Sequence, residues 1–188
     1  MLISSGRRWK EVQPVVVFRR AKFQDADQLA SVSRRAFDND IHYGAPGPGG
    51  PPGYDSSAWQ QRMMRLGDYY VVERSGEVIG GIIVFRKEPR CYEVGRIFLD
   101  PELQNQGIGS EAFQFLWKAY PLAKKWSLGT PSWNRRTRHF YKKVGFAEVG
   151  GDGHGGVLFV RWVPAAKIGQ PGRAGKASAD RPNRRRDV

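Results

Sequence analysis

The chain has 188 residues, of which 40% are hydrophobic and six are tryptophan, enough for one ordinary domain around a single substantial core. Nowhere does an apolar run reach the ~18 residues of a membrane-spanning helix, and the single cysteine, Cys91, excludes an internal disulfide and points to a reducing cytoplasm. The net charge of +13 is unevenly spread, since five of those charges fall in the last 24 residues.

Met1 to Pro14 carries Arg7, Arg8 and Lys10 with no apolar segment behind them, and reads as an extension without a secretory signal. The domain is expected over residues 15–164. Val15 to Phe18 reads as a first strand, and Asp25 with Gln28 as a capping box that opens a helix with the stripe Leu29, Val32, Ala36 and Phe37. Asp38 to Tyr54 follows, with five Gly and four Pro between Gly44 and Gly53. This composition predicts neither helix nor strand, and a loop of this length inside a domain is expected to act as a lid. Asp55 or Ser56 caps a second helix with Trp59, Met63 and Leu66 inside and Gly67 at its end. A hairpin is expected from Tyr69 to Phe85 with its turn at Ser75-Gly76, then a strand from Tyr92 to Leu99. Next comes a helix with Phe113, Leu116, Trp117 and Tyr120 on one face, stopped by Pro121. A short parallel strand at Ser127-Leu128, a helix from Asn134 to Gly145, and a hairpin from Phe146 to Trp162 complete the body. Strands and helices in this order predict an α/β mixed sheet with helices on both faces. The tail, 165–188, is rich in Gly, Pro and Arg without a hydrophobic pattern; it is expected to be disordered. A nucleic-acid contact through its charge is the minor reading, because no aromatic residues interleave the arginines.

Between the strand ending at Leu99 and the helix beginning near Glu111 lies Gln104-Asn105-Gln106-Gly107-Ile108-Gly109-Ser110. Gly107 and Gly109 let the backbone turn tightly and approach a ligand. The first N–H groups of the helix have no internal partners, and its dipole favours negative charge there, so the segment is expected to cradle a phosphate. Gly107 to Ala112 also fits the G-x-G-x-x-A dinucleotide pattern. That pattern wants its first glycine directly after the strand and an acidic residue about 20 positions on. Seven residues intervene here, and the segment Trp126 to Thr130 has no carboxylate, so the dinucleotide reading loses.

Two motifs carry a family resemblance. Leu99-x-Pro101-Glu102-x-Gln104-x-x-Gly107-Ile108-Gly109 resembles the Gln/Arg-x-x-Gly-x-Gly/Ala signature of GNAT N-acetyltransferases. Asn134 to Phe146, with Phe140-Tyr141 and Gly145-Phe146, is similar to the family's Asn-x(5)-Leu/Phe-Tyr-x(3)-Gly-Phe segment. The resemblance implies a mostly antiparallel sheet with one splayed parallel pair, and acetyl-coenzyme A as acyl donor with no metal. It implies main-chain N–H donors to the pyrophosphate at Asn105, Gln106, Gly107, Ile108, Gly109 and Ser110, with Gln104 as the signature residue. It further implies pantetheine pairing at the backbone of Phe98 and Leu99, and a cofactor contact or helix cap at Asn134. Glu93 is the candidate base for an ammonium acceptor, and Tyr141 the candidate acid for the departing thiolate. From the residues alone, Glu93 also reads as a surface or substrate-orienting carboxylate. Tyr141 also reads as a core aromatic, since it shares a helical face with Thr137 and Val144.

The expected reaction is direct acetyl transfer to a primary amine of a small molecule or peptide, with specificity in residues 38–57 and near the last hairpin. A homodimer is compatible with the family. A non-catalytic acyl-coenzyme A sensor is the alternative use of the same loop. Arg135, Arg136, Arg138, Lys142 and Lys143 read as a solvated face or as phosphate neighbours. His42, His139 and His154 lack metal-ligand spacing.

Overall fold

A computed structural model describes residues 14–164; the expectations for residues 1–13 and 165–188 lie outside the described residues. Seven strands form one sheet: β1 (Val16–Arg20), β2 (Asp68–Arg74), β3 (Glu77–Glu88), β4 (Cys91–Leu99), β5 (Lys125–Pro131), β6 (Ala147–Gly151) and β7 (Gly156–Trp162). Their spatial order is β1-β2-β3-β4-β5-β7-β6. Every neighbouring pair is antiparallel except β4 and β5. The mixed sheet predicted from the element order is therefore present.

The helices α1 (Ala26–Asp38), α2 (Ser57–Leu66), α3 (Ile108–Ala119) and α4 (Arg135–Lys143) divide between the two faces. On one, Ile108, Phe113 and Leu116 of α3 and Tyr141 of α4 bury against Ile82, Val84, Val94, Trp126 and Phe159. On the other, Leu29, Val32 and Ala36 of α1 and Met63 of α2 bury against Val71, Ile83 and Phe98. Alternate residues of β3 thus serve opposite cores, as the two-residue period of a strand requires. A sheet covered on both sides explains the unbroken apolar run from Ile82 to Val84.

Local expectations change in three places. Asp25 makes no capping box with Gln28; its carboxylate accepts from the Lys22 N–H at 2.7 Å and pairs with Arg19 at 2.8 Å, because Lys22–Asp25 forms its own 3-10 turn ahead of α1. Leu66, expected inside, is 60% exposed, and Gln60 is buried in its place. Hydrogen bonds offset the burial of this amide: Tyr69 Oη donates to Gln60 Oε1 at 2.6 Å, and Gln60 Nε2 donates to the Tyr54 carbonyl at 3.2 Å. Lastly, the Gly/Pro segment is helical at its start, with a 3-10 turn at Asn39–Tyr43 stopped by Gly44 at φ +101°.

Candidate active site

The two parallel strands pair for only three residues, Cys91–Glu93 with Lys125–Ser127, and both then run on. β5 stays on β7 as far as Pro131, and β4 stays on β3 as far as Leu99. The sheet therefore opens into a wedge between Val94–Leu99 and Leu128–Pro131, leaving main-chain groups of β4 without a strand partner. Asp100 N–H donates to the Ile79 carbonyl at 2.8 Å, so the alternation of an antiparallel ladder turns Phe98 toward β3 as well. Consistent with this, a Cβ on Gly80 would lie 2.4 Å from the Phe98 carbonyl oxygen. The open edge is carried by Ile97 and Leu99, which corrects the expectation for Phe98. Ile97 was missed because a one-residue change of phase is invisible without the register.

The wedge ends at the N-terminus of α3. Among the described residues, the N–H groups of Asn105, Gln106, Gly107, Ile108 and Gly109 make no hydrogen bond. Ser110 N–H differs from its expected role, donating to the Gly107 carbonyl at 2.9 Å inside the first helical turn. Gly107 has φ +87° and open space where a Cβ would stand. Gly109 abuts the Phe140 ring of α4, 3.0 Å from a would-be Cβ. A run of free N–H groups at a positive helix end fits a diphosphate. Gln104 lies beside it, its Nε2 donating to the Leu99 carbonyl at 3.2 Å.

On the other side of the wedge stands α4. Asn134 is buried and caps the helix, its Oδ1 accepting from Thr137 N–H at 3.1 Å. Arg136 leaves the expected solvated face and turns inward. Its Nη2 pairs with Asp40 at 3.0 Å, its Nη1 donates to Gln104 Oε1, and its guanidinium covers the Tyr43 ring at 3.7 Å. Burial raises the Asp40 carboxyl above its ordinary range, with Arg136 and Asn134 opposing the rise. Tyr141 is buried against Phe113, Phe146 and Phe159. Burial, then the charge of Asp40, pushes its phenol upward, so the hydroxyl keeps its proton at neutral pH.

Glu93 sits at the point where the strands part, opposite Phe85 on β3 and Ser127 on β5. Its side chain is 35% exposed and paired with Lys87 at 3.1 Å. Neighbouring Val94 belongs to the α3/α4 core with Tyr141, while Phe85 packs in the α1/α2 core. Glu93 and Tyr141 therefore approach the wedge from opposite faces. Asp40 is the carboxylate brought electrostatically to Tyr141, and no spacing in the chain signals it. Among the described residues, no three His, Cys, Asp or Glu side chains gather as a metal ion requires, and no helix is long and apolar enough to cross a membrane.

Residues 37–146 match the family described as the acetyltransferase (GNAT) family. No curated protein sequence matches significantly. The fold is similar to the PaiA N-acetyltransferase of Thermoplasma acidophilum in complex with coenzyme A, at 17% identity and TM-score 0.67 over 79% of this chain and 99% of that one. An acetyltransferase from Thermus thermophilus aligns at 15% identity and TM-score 0.67, covering 79% and 97%. The ribosomal-protein-S18-alanine N-acetyltransferase of Escherichia coli aligns at 14% identity and TM-score 0.63, covering 84% and 99%.

Proposed function

Because the chain belongs to the acetyltransferase (GNAT) family, we propose that it transfers an acetyl group from acetyl-coenzyme A to a primary amine by direct attack in a ternary complex. The observation that carries the donor is the set of free N–H groups from Asn105 to Gly109 at the mouth of the wedge. Acetyl-coenzyme A would supply a thioester there, and its diphosphate matches those donors in charge and number.

The chain's own part is to bind, orient and move protons. Asn105 to Gly109 hold the diphosphate, while Gln104, the Ile97 and Leu99 edge and Asn134 border the pantetheine path. A free edge N–H aimed at a carbonyl oxygen is worth roughly 3 kcal/mol to a reaction in which that oxygen gains charge. An alkyl ammonium with a pKa near ~10.4 must lose a proton before it attacks. Glu93, at the split between the strands, is the proposed base. Asp40 is the second reading for that role, favoured by a raised carboxyl pKa and its electrostatic contact with Tyr141. Tyr141 keeps its proton and is the proposed donor to the leaving sulfur.

Calorimetric titration with acetyl-coenzyme A, with NADH as control, tests the reading. Micromolar binding of the first alone supports it and leads to an amine screen by thiol release. Absence of acetyl-coenzyme A binding reduces the Gly107 segment to a turn, and the catalytic assignments fall with it.

A further inference from the structure

Arg96 lies in the middle of β4, three residues beyond Glu93, and is 9% exposed. Its guanidinium stands 3.9 Å from the Trp59 ring centroid and 5.6 Å from that of Phe37. Nη2 donates to the Pro52 carbonyl at 3.2 Å, and Nη1 has no partner. Among the described residues, no carboxylate pairs with it. Burial lowers its pKa to about 10, with Tyr69 the opposing neighbour, so the group remains a cation at neutral pH.

An uncompensated buried charge is costly, and at neutral pH this side chain keeps its charge. Fastening the loop at Pro52 needs one neutral donor, whereas this side chain brings a charge and a second, idle nitrogen. The surroundings are built around it. Phe37 from α1 and Trp59 from α2 form aromatic walls, and the Gly/Pro segment forms the cover. A Cβ on Gly53 would lie 2.1 Å from Trp59 Cγ, and one on Gly50 would lie 2.8 Å from Phe37 Cβ. Glycine at 53 is thus what lets the loop backbone rest directly on the Trp59 ring, while Gly50 is hemmed in by the Tyr54 ring, 2.6 Å from a would-be Cβ, as well as by Phe37 Cβ. Ile83, Arg96's partner on β3, belongs to the α1/α2 core together with Phe85, the partner of Glu93. Arg96 therefore shares a sheet face with the proposed base.

We propose that Arg96 receives a carboxylate of the acceptor, so that the substrate is an amine that also bears a carboxylate, with the Pro52 segment yielding its contact to the incoming group. This rests on the acetyltransferase reading above. A single cation between aromatic walls balances a monoanion; a phosphate dianion would leave charge uncompensated. The planar fork of the guanidinium suits a carboxylate in bidentate geometry. The acceptor amine would then lie toward Glu93 along the same face.

The test uses two arms. In the first, thiol release is measured for glycine, β-alanine and 4-aminobutyrate against their carboxamides. At least one acid should exceed its amide by about 10²-fold in kcat/KM, the scale of exchanging a charge-assisted hydrogen bond for a neutral one. Arg96→Gln should collapse that ratio to within a few-fold, a change that a merely structural role would not produce. Amides turned over as well as acids would overturn the proposal while leaving acetyl transfer intact. In the second arm, the guanidinium 15N signal of Arg96, assigned with Arg96→Lys, is followed in the wild-type protein during titration with propionate or propionamide. A saturable shift with propionate alone supports the site, and an unmoved signal overturns it even if no amine in the panel is acetylated. Failure to bind acetyl-coenzyme A by calorimetry would instead sink the underlying reading, and the NMR arm would still judge Arg96.

Discussion

Arg136 and Asp40, ninety-six positions apart, form an ion pair at 3.0 Å that joins the first turn of α4 to the 3-10 turn following α1. The same guanidinium reaches Gln104 beside the Gly107 loop. One side chain therefore ties together the segment that leads into the covering loop, the Gly107 loop and the helix that carries Tyr141.

Burial opposes the ionisation of Asp40. Its carboxyl is raised in the fold, chiefly by burial, so the contribution to stability is full below the unfolded pKa and is lost as pH rises through the folded pKa. Asp40→Asn is expected to raise Tm at neutral pH, with the gain disappearing in acid. The turnover of the variant should fall. Thermal melts at several pH values alongside thiol-release rates would check both, and a Tm lowered at neutral pH would contradict the burial argument.

Tyr141→Phe removes a hydroxyl that makes no hydrogen bond among the described residues and keeps the ring against Phe113, Phe146 and Phe159. The melting temperature should hold within about a degree. If the phenol protonates the leaving sulfur, kcat should drop by about 10²-fold with little change in KM. Equal kcat for both proteins would return Tyr141 to the status of a core aromatic.

Gly107 and Gly53 both have positive φ, +87° and +73°, but only the second has a crowded Cβ position. Gly107→Ala should therefore cost about 1–2 kcal/mol, the strain of a left-handed residue, and weaken acetyl-coenzyme A binding through the altered cradle. Gly53→Ala adds the overlap with Trp59 and should destabilise further. Chemical denaturation of the pair, with calorimetry on the first, separates strain from collision.

Asp25 titrates in the opposite sense to Asp40. The Arg19 guanidinium and the Lys22 N–H hold its carboxyl below the ordinary value of 3.8. Its contribution is present above the unfolded pKa and is lost as pH falls through the folded pKa. Asp25→Asn should therefore be less stable than wild type at pH 7, and the two melting curves should converge below about pH 3.8. A gap that persists in acid would mean the loss is one of packing rather than charge.

Most of the scaffold was legible because its signals are local. The period-3.6 stripe of α1, the Ser75-Gly76 turn, the pattern of α3 and the capping Asn134 each lie within one element. Leu66 and Gln60 show where such reading stops: an amide becomes a core residue once Tyr69 and Tyr54 meet its polar atoms, and those partners come from different elements.

By itself the sequence determined the mixed α/β fold, the family, and the Gly107 loop at the head of a helix, because spacing along the chain encodes turns, caps and periods. The tertiary structure alone decided that Ile97 rather than Phe98 faces the wedge, since that depends on register across β3. It alone turned Arg136 onto Asp40, and it alone buried Arg96 between Phe37 and Trp59 with no counter-ion among the described residues. Charge pairing and desolvation depend on distance in space, and residues that are remote along the chain carry no local mark of the neighbours they will meet.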